Sequence, residues 1–299
     1  MVTITPPIMQ ALRTAWVGNF NTAFAGAKSR YTDIAMVTNS NTSKGAYSWL
    51  GQLPFIREWV GPRHIMSLEA FAFAIENRNF ETTIEVLRDD IADDNAGTYG
   101  VLFSEMGRTA ALHPDELVFG LLPGGFTGAC YDGQNFFDTD HPVCDALGNA
   151  TTASNVQAGG GEPWYLLDTS RAVRPLIYQK RMDYKIIAKD RPDDDNVFWN
   201  KKIIYGCDGR SNAGYGLWQM AFASKLPLNA ENYEAAKASM TSLRGDSGKL
   251  LGVRPTVCIV PPTMENTGKS LFKKPNLAGG ESNIHDGEVE LIIADWLAQ

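Results

Sequence analysis

Four cysteines and four histidines are all that 299 residues offer for thiol or imidazole chemistry. The cysteines (Cys130, Cys144, Cys207 and Cys258) form no CxxC pair. Free thiols of a reducing cytoplasm are therefore expected, and a zinc site has no spacing to rest on. No run of about 18 apolar residues occurs, so no membrane-spanning helix is expected. The opening MVTITPPIMQ lacks a basic start followed by an apolar stretch, so no secretory leader is expected either. Positive charge is also short: 27 Lys and Arg face 34 Asp and Glu, for a net charge of −7. A chain that works by gripping phosphates is more often basic, which disfavours nucleic-acid binding as the main activity. What remains is a chain of 44% hydrophobic and 20% charged residues, ample for one large or two smaller folded domains.

Signatures of catalysis fail in turn. Thr267-Gly268-Lys269-Ser270 looks like the end of a phosphate loop, but Thr263 stands where the first glycine is needed, and the segment falls inside a helical pattern. Asp138-Thr139-Asp140-His141 lacks the further acids and the glycine of a calcium loop, and reads as turn chemistry. Cys144 with His141, or Ser104 with His113, would be a nucleophile and its base, yet no GxSxG elbow is present. A hydrolase using Asp140, His141 and Cys144 is kept only as a rival. No catalytic residue, cofactor or metal site is expected.

The elements suggest an α+β chain without βαβ alternation. Ile8, Leu12, Trp16, Phe20 and Phe24 recur every four residues over 6–26, a helix with Thr5 as a possible cap and Pro6 in its first turn. This helix is either core or an arm that docks on a neighbour. Residues 33–47 have linker composition. Phe71–Ile75 and Phe80–Leu87 alternate with period two around a turn at Asn77-Arg78-Asn79. An acidic knot, Asp89, Asp90, Asp93 and Asp94, precedes a helix carrying Tyr99, Leu102, Phe103, Met106 and Ala110 on one face. Gly97, Gly100 and Gly107 within it suggest a helix that bends, and Pro114 is expected to end it, with Asp115–Leu122 as a further short helix. Gly159–Gly161 reads as a mobile tip. Strands are expected at Leu176–Gln179, Tyr184–Ala188, Val197–Tyr205, Pro255–Val260 and Val289–Ile293, and helices at 229–243 and Pro262–Phe272.

Four stretches carry a resemblance: SWLGQLPFIREWVG at Ser48–Gly61, FETTIEVLRDDIADD at Phe80–Asp94, YDGQNFFDTDHP at Tyr131–Pro142 and YGCDGRSNAGYGLWQMAFAS at Tyr205–Ser224. As a set they resemble the major head subunit family of Mu-like phages, and the similarity runs from about Pro6 to Leu297. The resemblance implies the tailed-phage major capsid fold of the Hong Kong 97 type. On that plan residues 1–45 are an N-terminal arm and 46–80 an extended loop. Residues 81–144 are a peripheral domain with its spine helix at Asn95–Leu112. Residues 145–285 are mostly axial domain, and 286–299 a terminal strand returning to the peripheral domain. It further implies a chain that forms pentamers and hexamers of an icosahedral shell around double-stranded DNA, with scaffold, portal and minor or cement proteins as partners. The shell would be assembled in the host cytoplasm and end in the virion.

Residues expected at subunit interfaces are the aromatics Trp16, Phe20, Phe24, Trp59, Tyr215 and Trp218, the cations Arg57, Arg63 and Arg210, and the acidic knot Asp89, Asp90, Asp93 and Asp94. The rival structural readings are a nanocompartment shell of the same fold and a decoration protein that does not assemble by itself.

Overall fold

The computed structural model describes residues 5–47, 50, 73–92, 96–145, 149–245, 248–277 and 279–298. The chain opens with helix α1 (Pro6–Gly26), a single turn α2 (Tyr31–Ile34), and short strands β1 (Ala35–Asn39) and β2 (Lys44–Ala46). Strands β3 (Ala74–Glu76) and β4 (Arg78–Leu87) lead through α3 (Arg88–Ala92) to the long α4 (Ala96–Phe119) and the turn α5 (Leu121–Gly124). Four short strands follow: β5 (His141–Cys144), β6 (Ala150–Ala153), β7 (Val156–Gln157) and β8 (Trp164–Leu167). Two strands of 14 residues, β9 (Leu176–Lys189) and β10 (Lys202–Tyr215), are joined by α6 (Asp195–Asn200). Last come β11 (Ala221–Ser224), α7 (Ala230–Ser242), β12 (Val257–Val260), α8 (Glu265–Phe272) and β13 (Glu290–Ile293).

Two sheets organise the molecule. The first has the order β1-β9-β10-β4 and the second β13-β12-β8-β11-β7. On β10, Ile203, Tyr205 and Cys207 are buried and their neighbours are half-buried, the period-two pattern of a sheet covered on one face. α1 and α4 supply that cover, through Trp16, Phe103, Phe20 and Met106. The second sheet is covered on both faces. Trp164, Leu166, Cys258 and Val260 pack with Tyr233, Met240 and Phe272 of α7 and α8. Tyr165, Leu167, Val257 and Ile259 face the other way, into a core shared with Ile34, Leu122, Tyr178 and Tyr215 from the first sheet and its helices.

Several local expectations change under tertiary contact. The linker-like stretch 33–47 is instead ordered, with β1 paired in parallel to β9 from Ala35↔Leu176 to Asn39↔Lys180. Backbone pairing with an existing strand compensates for its poor apolar content. No turn forms at 77–79, because Arg78 and Asn79 are already in β4, opposite Ser211 and Arg210. Asn77 is buried at the junction, and its amide donates to Ser40 and to the carbonyls of Thr42 and Ser43. Pro114 does not end α4. Two residues of the following turn help hold the continuation: Asp115 is buried and accepts from the backbone N–H groups of Arg30 and Tyr31, and Val118 is fully buried. Val197–Tyr205 is not a strand throughout. α6 occupies its first part, and Lys201, in the left-handed conformation at φ 54°, ends that helix before β10 begins. Leu176–Gln179 and Tyr184–Ala188 are one strand. Gly159–Gly161 is exposed, with open space around Gly160, while Gly159 and Gly161 lie against the backbone of Lys225 and Gly161 donates to its carbonyl.

The terminal strand also departs from expectation. β13 pairs with β12 in the second sheet, not with the sheet under α4. It is the segment after it that reaches α4, with Leu297 in the same core cluster as Val118 and Phe119. Of the expected extended loop, only the ends are described. Lys44↔Glu76 to Ala46↔Ala74 is an antiparallel neck that brings them together, and residues 51–72 of the loop lie outside the described residues.

Candidate assembly surfaces

The helix read as either core or a docking arm, α1, packs on α4. Trp16 stacks on Phe103 at 5.1 Å between ring centroids and meets Tyr205 edge-on at 5.5 Å. Phe20 stacks with the half-buried Phe24 at 5.9 Å and packs on Met106, Ala110 and Cys207. Two of the helix glycines explain this closeness. A Cβ on Gly107 would lie 2.3 Å from the Phe20 carbonyl oxygen, and one on Gly100 would lie 2.9 Å from Asn19 Nδ2. They are therefore sites of close helix approach, which accounts for them without a bend; Gly97 has nothing within 4 Å. Leu102, placed on the apolar face by its spacing, is instead 47% exposed beside Val101.

The YDGQNFFDTDHP stretch forms a knot of side-chain-to-backbone bonds. Asp132 accepts from Gln134 N–H at 3.2 Å and bonds His141 Nδ1 at 2.7 Å. His141 is fully buried and stacked on Trp218 at 3.9 Å and 8°. Asp138 accepts from Thr139 N–H at 2.7 Å and from Asn135, and these N–H groups hold its carboxyl below the ordinary range. Asn155, fully buried, ties the knot to the second sheet: its Oδ1 accepts from Asp138 N–H and its Nδ2 donates to Phe136 O, at 2.9 and 2.8 Å. Phe136 then stacks on Tyr215 at 4.6 Å.

This geometry separates the pairs that sequence reading weighed as catalytic. His141 and Cys144 lie three apart on strand β5, so their side chains leave opposite faces. Ser104 Oγ donates to Gly100 O, while His113 Nδ1 bonds Tyr184 OH at 2.7 Å. Burial pushes the Cys130 thiol up to about 12 and Cys207 up to about 11, so both stay protonated and poorly nucleophilic. Lys269 of the phosphate-loop lookalike lies on α8 and pairs with Glu265. Among the described residues no group of three or more His, Cys, Asp or Glu is placed to hold a metal, and no helix is long and apolar enough to cross a membrane.

The expected interface residues divide sharply. Trp16, Phe20, Tyr215 and Trp218 are buried in the subunit's own core, so they are not surface anchors. The density of aromatics that singled them out is equally a property of a core. Arg210 is half-buried at the irregularity of the β9–β10 register. Asp89 pairs with Lys201 at 3.7 Å and Asp90 accepts from Tyr99 OH, both within the chain. Arg57, Trp59, Arg63, Asp93 and Asp94 lie outside the described residues. Exposed apolar groups lie elsewhere and include Phe198 and Trp199 on α6, Ile187 on β9, Leu87 on β4, and Val101 and Leu102 on α4. Phe198 and Trp199 were hidden by their position in a run that reads as a strand. The tripeptide Asp193-Asp194-Asp195 before them was the available sign of a protruding turn.

A family model described as the Mu-like prophage major head subunit gpT matches residues 9–297. The major capsid protein of Escherichia phage Mu is 44% identical, over 98% of this chain and 99% of its own length. The Mu-like prophage FluMu major head subunit of Haemophilus influenzae is 40% identical, over 99% and 100%. Among solved structures, a chain of the bacteriophage JBD30 procapsid superposes with TM-score 0.85 at 44% identity, covering 98% of this chain and 100% of that one. The JBD30 capsid gives TM-score 0.79 at 33% identity, covering 99% and 100%. The expected α+β capsid fold is therefore the observed one, and the chain belongs to the Mu-like prophage major head subunit family.

Proposed function

We propose that this chain is the major capsid protein of a Mu-like phage or prophage, a structural subunit and not an enzyme. The observation that carries this is the end-to-end match, in sequence and in fold, to a chain of the JBD30 procapsid. The chemistry agrees with it. The described titratable clusters are spent on turns and on core bonds, and apolar side chains are exposed on several separate surfaces. Such surfaces suit a subunit that meets several neighbours at once.

In this reading α1 and the residues around it are the arm, α4 the spine, and the four-stranded sheet the peripheral domain. The five-stranded sheet with α7 and α8 is the axial domain, and the neck β2–β3 is the root of the extended loop. Copies form pentamers and hexamers that close into an icosahedral head, assembled in the host cytoplasm. Scaffold, portal and minor or cement proteins are its partners, and the net charge of −7 suits a wall that encloses DNA without gripping it. Electron microscopy and sedimentation of the chain, expressed alone and then with its neighbouring genes, test this. Closed shells, or rings of five and six, are expected. A chain that stays monomeric in both settings would remove the shell reading.

A further inference from the structure

A groove of about 730 Å³ runs between the N-terminal half of α1 and the turn that joins β9 to β10. Its apolar lining comes from Met9, Val17, Val197 and Ile203, and Arg88 and Arg191 stand in it. Neither guanidinium has a carboxylate within ion-pair distance among the described residues. The groove's own acid, Asp190, is already engaged by Arg13 at 3.4 Å and by Tyr205 OH at 3.0 Å. The groove therefore offers an apolar surface with positive charge that no carboxylate among the described residues pairs.

The complementary shape stands next to it. Asp193 and Asp195 are exposed and have no cation within ion-pair distance among the described residues. Phe198 and Trp199 follow, 68% and 74% exposed, with their rings edge-to-face at 4.9 Å. This knob is held firmly. Val197 is buried behind it, and Asn196 Nδ2 donates to both Lys189 O and Lys202 O, pinning α6 across the ends of the two long strands. A pre-shaped aromatic knob loses little freedom on docking. It does not serve its own groove, because Val197 forms the wall of that groove while Phe198 and Trp199 turn out to solvent.

We propose that the Asp193–Trp199 knob of one copy seats in the α1–β10 groove of a neighbouring copy. Phe198 and Trp199 cover the apolar lining, and Asp193 and Asp195 face Arg88 and Arg191. Knob and groove adjoin on the same subunit and are different surfaces, so the contact is heterologous, the kind that repeats around a ring within a closed shell. This rests on the shell reading and assigns one of its contacts.

The test uses the full chain, expressed with whatever the wild type needs to form shells. Three charge variants are compared: Arg88→Glu with Arg191→Glu, Asp193→Lys with Asp195→Lys, and all four together. Each double variant should lower the yield of closed shells roughly tenfold or more, and the fourfold variant should recover it. Phe198→Ser with Trp199→Ser should lose shells without recovery by any charge change. Unchanged melting of the unassembled subunits shows that folding is not the cause. Undiminished yield in the double variants overturns the proposal. So does a loss that the fourfold variant fails to restore, since the groove would then hold a different protein. A wild type without shells sinks the shell reading itself; a normal wild type with unresponsive variants sinks this contact alone.

Discussion

Single residues in this chain act by space and by proton affinity. Gly107 is a position where the backbone of α1 leaves no room for a Cβ. Gly107→Ala should cost about 1–3 kcal/mol through forced separation of the two helices. Gly97→Ala, in open space, should be neutral or stabilise by up to about 1 kcal/mol. Urea midpoints of the unassembled subunits measure both, and equal effects would remove the close-approach account. His113 offers a pH handle. Burial lowers its affinity for a proton, with its ring 4.2 Å from that of Phe80 and its Nδ1 bonded to Tyr184. The unfolded chain then binds the proton more readily than the folded one. Its contribution to stability is complete above the ordinary histidine value of about 6.5 and falls as the pH drops through it. His113→Gln, which retains an acceptor for Tyr184, should remove part of the stability loss between about pH 7 and pH 5. The ring is only half-buried, so the difference should stay under about 1 kcal/mol. Identical pH profiles for the two proteins would exclude His113 as the source.

At the scale of elements, what the sequence made legible was local. α1 matches its periodic stripe from Pro6 to Gly26, although Thr5 makes no side-chain cap bond. Asn229 does cap α7, accepting from Asn232 N–H at 2.8 Å. The alternation of Phe80–Leu87 is that of β4. The illegible parts depend on distant partners. β1 is a strand because β9 lies beside it, α4 continues past Pro114 where α2 and the core engage its last turn, and α6 interrupts a run of β-favouring residues. The assembly surface was least legible, because aromatic richness marks cores and interfaces alike. Burial was needed to place Trp16, Phe20, Tyr215 and Trp218 in the core and Phe198 and Trp199 on the surface. Asp138-Thr139-Asp140-His141 reads as turn chemistry, and Asp138 does accept from the Thr139 N–H, but the clamp of the surrounding knot, Asn155, carries no signal in the sequence. Asn155→Ala leaves the buried Phe136 carbonyl and Asp138 N–H without this partner. A loss of about 2–4 kcal/mol is expected in chemical denaturation, and a loss within about 0.5 kcal/mol would show that the knot closes without it.

On the scale of the whole molecule, the two sheets do not own separate cores. One cluster takes Ile34, Tyr178 and Ala213 from around the first sheet and Tyr165, Ala223, Ile259 and Ile292 from the second. Breaking either sheet strips cover from the other. The unassembled subunit should therefore unfold in a single transition despite its 299 residues, with far-ultraviolet and near-ultraviolet circular dichroism coinciding. Two resolved transitions would mean that the sheets are independent. The same cluster has a consequence for synthesis. Val118 and Phe119, at the end of α4, pack with Leu297. A core that needs residue 297 cannot be finished while the preceding residues are still being made. Subunits growing side by side on one messenger thus lack this core until residue 297 has left the ribosome, which postpones the meeting of neighbours to that point.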